Sequence, residues 1–178
     1  MKRSTIGVAL VSFVLGALLA RTATDGFARS TEASKPSLYT DARYGYSIAP
    51  PAFPKGAKDT AGLAATFFAP ARNGFAPNLG LMIQNVAMTA DDYRDLSRKQ
   101  FKQADFTVLS ETAKKVGGKD AILWEYEGKS GGRELRWIGL AVVDTDKIYL
   151  LTATAPKADF DALAPEFRAA IDSFTLGD

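Results

Sequence analysis

From Phe106 to Ala155 the chain repeats one pattern, a stretch of strand-forming residues cut off by a tight-turn sequence, and this repeat limits the fold more than anything else. Phe106 to Ala113 is closed by Gly117-Gly118. Ile122, Trp124 and Tyr126 then alternate with Leu123, Glu125 and Glu127, the period-two signature of a strand with one buried face. After Gly128-Lys129-Ser130-Gly131-Gly132 the pattern resumes at Leu135, Trp137, Gly139, Ala141 and Val143, which predicts a hairpin with a longer, Gly-rich loop. The turn Asp144-Thr145-Asp146 leads into a last strand, Ile148–Ala155, which Pro156 ends.

Shorter strands precede this run. Tyr44–Ile48 stops at Pro50-Pro51, residues that cannot donate to a strand ladder. Ala65–Ala69 and Leu79–Met88 are the next two. Thr89 then opens a helix, with its hydroxyl placed to cap the first turn and Asp91 and Asp92 at the positive end of the dipole. Tyr93, Leu96, Phe101 and Ala104 form its apolar side. Arg94, Arg98 and Lys102 recur every four residues on another side and read as a solvated face, helped by an Asp95–Lys99 pair. The final segment carries Phe160, Leu163, Ala164, Phe167, Ala170, Ile171 and Phe174 at helical spacing, the regular stripe of a core-facing helix. Pro165 inside it predicts a short first turn followed by the main helix.

At the other end, Lys2 and Arg3 precede an uncharged apolar run, Ile6–Ala20. That layout is a secretory signal, and the run is short for a membrane-spanning helix. Residues 1–28 are read as a signal peptide cleaved after Gly26-Phe27-Ala28, or as an uncleaved anchor in which residues 6–20 tether the chain to the inner membrane. Both readings deliver the domain to an extracytoplasmic, periplasmic or secreted, location. The polar segment 29–40, rich in Ser and Thr, reads as a linker, and residues 41–178 as one domain.

The chain of 178 residues contains no cysteine and no histidine. Disulfides, thiolate nucleophiles, imidazole metal ligands and an imidazole general base are all excluded. Cleavage after Ala28 removes three of the 22 basic residues and one of the 20 acidic ones, which leaves the two in balance. A neutral domain has no general electrostatic grip on nucleic acid.

Few motifs suggest chemistry. Gly128-Lys129-Ser130 ends like a phosphate-binding loop, but position 123 is Leu and a strand follows, so the motif is rejected. Asp144 and Asp146 lack the further ligands of a calcium loop and read as turn residues. Glu125 and Glu127 share a strand face and are the one pair a carboxylate-based hydrolase would use. Arg133 or Arg136 across the hairpin can pair with them instead. Trp124 and Trp137, on neighbouring strands, read as a stacked pair in the core. In the loop Pro70–Asn78, Arg72, Asn73 and Phe75 are the candidate partner contact, because one apolar ring in a polar turn often marks a contact site. No catalytic, metal or cofactor-binding residues are assigned.

The order YTDARYGYSIAPP, FAPNLGLMIQNV, helix, GGKDAILWEYEGK, KIYLLTATAP and a last helix ending in Asp172-Ser173-Phe174 resembles the PsbP-like superfamily. That superfamily is named for an extrinsic subunit of the photosynthetic oxygen-evolving complex. The resemblance covers most of residues 38–176 and rests on packing and turn residues. It implies an α+β fold, an antiparallel β-sheet flanked by helices in an α-β-α sandwich. It also implies a non-catalytic role in binding proteins or assembling membrane complexes. The expectation is therefore a non-enzymatic, extracytoplasmic binding or assembly module without cofactors, acting on an unidentified protein partner of a membrane-associated complex. Two alternatives stand beside it, a carrier of a small apolar or amphipathic ligand and, less favoured, a carboxylate-based hydrolase.

Overall fold

A computed structural model describes residues 38–53 and 63–177 of the chain. The leader, residues 1–28, lies outside the described residues, as does most of the linker. The elements run β1 (Tyr39–Asp41), β2 (Tyr46–Ile48), β3 (Leu63–Phe68), β4 (Asn78–Gln84), α1 (Ala90–Gln103), β5 (Thr107–Val116), β6 (Lys119–Ser130), β7 (Arg133–Val143), β8 (Ile148–Pro156), α2 (Lys157–Asp172) and β9 (Thr175–Leu176).

Six strands form one antiparallel sheet in the order β3-β4-β8-β7-β6-β5. The repeat seen in the sequence is the β5–β8 meander, and the β3–β4 hairpin extends it on the β8 side. Both Gly-Gly turns are two residues long. Gly117 and Gly118 sit at φ 55° and 76°, Gly131 and Gly132 at 58° and 76°. Two successive positive φ values match the twist of the flanking strands and favour glycine. The longer loop expected between β6 and β7 is therefore not there, and β6 continues through Gly128, Lys129 and Ser130. Gly128 serves packing rather than turning, since a Cβ at that position would collide with the Phe106 ring.

Strand alternation sorts the sheet residues into two cores. Ile138, Leu140, Val142, Leu151, Ala153 and Ala155 pack beneath Phe160, Phe167, Ala170 and Ile171 of α2. Ile122, Trp124, Tyr126, Leu135, Trp137 and Ala141 pack beneath Tyr93 and Phe101 of α1. The helices thus cover opposite faces of the sheet, and the architecture is the α-β-α sandwich of an α+β fold. Both tryptophans are core residues, but they do not pair with each other. Trp124 stands opposite Gly139 and Tyr126 opposite Trp137. Tyr126 is therefore the ring stacked on Trp137, 5.1 Å between centroids at 14°, while Trp124 meets Phe101 edge-on at 5.9 Å.

Thr89 caps α1 as expected, its hydroxyl oxygen accepting from the Asp92 amide at 3.1 Å. The basic stripe is less solvated than its spacing suggests, because Arg94 and Arg98 both turn onto Glu111 of β5. Asp95 pairs with Arg98 rather than Lys99. α2 is continuous through Pro165, without the break predicted after its first turn. Pro165 falls on the exposed side, where water can satisfy the carbonyl left without its amide partner.

A second sheet, β1-β2-β9, is absent from the sequence reading. β1 takes in Tyr39 and Thr40, which composition assigns to the linker. β9 pairs Leu176 with Tyr46 and closes the domain with residues from its far end.

Candidate functional site

The loop after β3 is built around a turn as tight as those of the meander. Arg72 and Phe75 exchange two main-chain hydrogen bonds, of 2.8 and 3.0 Å. Between them Asn73 and Gly74 take φ values of 50° and 71°, a pair that Asn-Gly tolerates better than almost any other sequence. Arg133, at the start of β7, donates from its guanidinium to the carbonyls of Asn73 at 2.9 Å and Gly74 at 3.4 Å. Ala69 donates to Pro77 at 2.8 Å, and the Asn78 side chain donates to Ala76 at 3.0 Å.

This geometry separates the three residues of the candidate contact. Arg72 and Asn73 are exposed. Phe75 is 5% exposed and joins the aromatic core beneath α1, so its ring is not available to a partner. The tight turn leaves no slack to hold the ring in water, and burying it is worth roughly 1.5–3 kcal/mol. Arg133, expected near the β6 carboxylates, is committed to the turn instead.

Beside Arg72 the loop, the segment after β2 and α2 enclose an open cavity of about 230 Å³. Its apolar lining includes Phe53, Pro70, Pro77 and Leu163, and its charged lining is Arg72, Asp159 and Glu166. Phe53 is held there by edge-on packing against Phe167, 5.7 Å between centroids. Asp159 and Glu166 are seven residues apart on α2, which is two helical turns and about 10 Å along one side of the helix. Neither carboxylate nor the Arg72 guanidinium has an ion-pair partner among the described residues.

On the long strands of the meander the carboxylates are occupied. Glu125 accepts from both Arg136 and Arg168, and Glu127 from Lys157 at 2.7 Å. The pair that a carboxylate-based hydrolase would need is thus neutralised residue by residue. Glu111 accepts from Arg98 at 2.7 and 3.0 Å and from the Trp124 indole at 3.0 Å. Burial raises the Glu111 pKa, but the hydrogen bonds from Arg98 and Trp124 and the charges of Arg98 and Arg94 outweigh it, so the net shift is downward. Asp144 accepts from Lys119 at 2.7 Å and from the Thr145 amide at 2.8 Å, and both hold its pKa down. It is a turn residue, as its sequence context suggests. Among the described residues no cluster of three or more Asp or Glu side chains gathers in a metal-binding arrangement, and no helix is long and apolar enough to cross a membrane.

The sequence reading missed Asp159, Glu166, Arg168 and Glu111. The i, i+7 spacing of Asp159 and Glu166 was visible, but their setting depends on Phe53 and Pro70–Pro77, roughly a hundred residues away in the chain.

The comparisons agree with this architecture. The structure is similar to that of cyanobacterial PsbP (CyanoP) from Synechocystis sp. PCC 6803, with a TM-score of 0.63 and 15% identity over 85% of this chain and 98% of that one. It is also similar to LpqN from Mycobacterium tuberculosis, described as involved in cell envelope biogenesis, with a TM-score of 0.58 and 11% identity over 75% of this chain and 83% of that one. At such identities the likeness is one of fold. No curated protein sequence matches at a significant level. The PsbP family model matches residues 76–176, which is more than half of the 178 residues, and the chain belongs to that family.

Proposed function

We propose that this chain is an extracytoplasmic, non-catalytic binding module that supports a membrane-associated protein complex. The observation that carries the reading is the open groove between the Arg72–Phe75 turn and α2, where an apolar lining sits beside three charges that nothing in the described chain satisfies. Such a surface gains by being covered, whereas Glu125 and Glu127 are already neutralised by their own neighbours. Arg72 and Asn73 are the exposed residues of the turn that a partner meets. Membership of the PsbP family, whose members mostly bind other proteins, supports the same reading. So does the likeness to LpqN, described as involved in cell envelope biogenesis. The basic-then-apolar start of the sequence, residues 1–28, supplies the export route, as a cleaved signal or as a tether through residues 6–20.

A carrier of small ligands is less well supported. A pocket for such a molecule usually measures about 300–1,000 Å³, and the groove is smaller and open, at the flank of α2. The test is capture of the tagged full chain from its own envelope fraction, with mass spectrometry on proteins and lipids together. A stoichiometric protein is expected. A stoichiometric lipid with no protein overturns the reading in favour of the carrier.

A further inference from the structure

We infer that the groove beside α2 receives an extended segment of a partner protein in which one large apolar side chain is flanked by lysine or arginine. The inference rests on the binding-module reading and adds the chemistry of the segment. Three features of the groove point to it. Its volume of about 230 Å³ falls below the range of small-molecule pockets and suits one anchoring side chain. Its apolar lining, Phe53, Pro70, Pro77 and Leu163, offers that side chain no hydrogen bond to satisfy. Among its described lining residues the acids Asp159 and Glu166 outnumber the one base, Arg72.

The two carboxylates set the spacing. They are about 10 Å apart along α2, a distance that an extended chain covers in about three residues. Basic side chains two positions either side of the anchor share its face of an extended chain and sit about 13 Å apart, so their long stems reach one carboxylate each. Both carboxylates are without a cation among the described residues, which leaves them open to the partner's charges. That distinguishes the groove from the Glu125 and Glu111 sites, where arginines are already in place. Arg72, across the groove, is left to donate to main-chain carbonyls of the bound segment and so to favour an extended backbone.

The test measures affinity of the full chain for short synthetic peptides by fluorescence anisotropy. One peptide carries a central Leu flanked by Lys, a second the same Leu flanked by Glu, a third the Lys residues without the Leu. The first is expected to bind at least about tenfold more tightly than either of the others. The D159N/E166Q double variant is expected to lose about tenfold for the first peptide and to leave the melting temperature unchanged, since both side chains are exposed or half-buried and unpaired. Equal affinity for Lys- and Glu-flanked peptides overturns the inference, and so does binding indifferent to D159N/E166Q. A concentration-dependent dimer in sedimentation that D159N/E166Q abolishes makes a second copy the occupant and also overturns it. If the double variant still captures the same stoichiometric protein from the envelope fraction, the groove is not the docking site while the binding-module reading survives.

Discussion

The two faces of the sheet are fastened by the same device but end in different surfaces. Beneath α1 the core is an aromatic slab of Tyr93, Phe101, Trp124, Tyr126 and Trp137. Beneath α2 the central strands contribute mainly aliphatic residues, and the rings are dispersed among Tyr46, Phe67, Tyr149, Phe174 and the helix residues Phe160 and Phe167. On each face one carboxylate takes two guanidinium groups, Glu111 from Arg94 and Arg98, Glu125 from Arg136 and Arg168. The outer sides then diverge. Two of the three acids of α1, Asp91 and Asp95, pair with Arg94 and Arg98 of the same helix, and the third, Asp92, accepts from the Thr89 hydroxyl. On α2, Asp159 and Glu166 remain unpaired among the described residues and line the groove. Asp161 and Asp172 of α2 do pair, with Arg136 and Lys114, so the unpaired acids are confined to the groove side of the helix.

The largest effect expected from breaking this comparison comes from the aromatic face. Trp124→Ala removes a fully buried ring and leaves Glu111 without its indole donor, at a cost of about 4 kcal/mol in urea unfolding. Leu151→Ala on the other face should cost about 3 kcal/mol, and a reversed order would show that the aromatic slab is loosely packed. Glu125→Gln leaves two guanidinium groups facing each other. Arg168 is about half exposed, so the loss should be near 2 kcal/mol rather than the roughly 3–5 of a fully buried pair. Gly128→Ala forces a methyl group into Phe106 and should cost about 1–2 kcal/mol, read as a lower unfolding midpoint with unchanged denaturant slope.

The smallest effect is the most diagnostic of the α1 clamp. Because the folded-state pKa of Glu111 is depressed, its contribution to stability is complete above the ordinary carboxylate range and is lost as pH falls through the folded value. The stability difference between the wild type and Glu111→Gln should therefore be present at neutral pH and vanish in strong acid. A difference that persists unchanged into acid would mean that the clamp is steric.

Local sequence was a good guide where structure is local. The meander was legible because each strand is followed within a few residues by its neighbour, and the Thr89 cap because it needs only four residues. Prediction failed where partners lie far apart. β1 and β9 are too short to carry a pattern, and the pairing of Tyr46 with Leu176 joins opposite ends of the domain. Phe75 read as an exposed ring because its polar neighbours dominate the loop, whereas the two-residue turn folds it back over the sheet. Gly128 was assigned to a turn because glycine in sequence does not declare whether it frees the backbone or makes room for a neighbour. Of the groove's charged lining, only Arg72 was singled out from the sequence.

The small sheet has a mechanical consequence. β1 and β9 run on either side of β2, and the Gly177 amide donates to Gly45 at 2.7 Å. Where the polypeptide ahead of residue 38 is fastened to a surface, any tug on the domain is felt first by strands of two or three residues. Behind those short strands the buried Tyr46 and Ile48 of β2 pass the load directly into the core beneath α2, so the small sheet works as a strain relief rooted in the body of the domain.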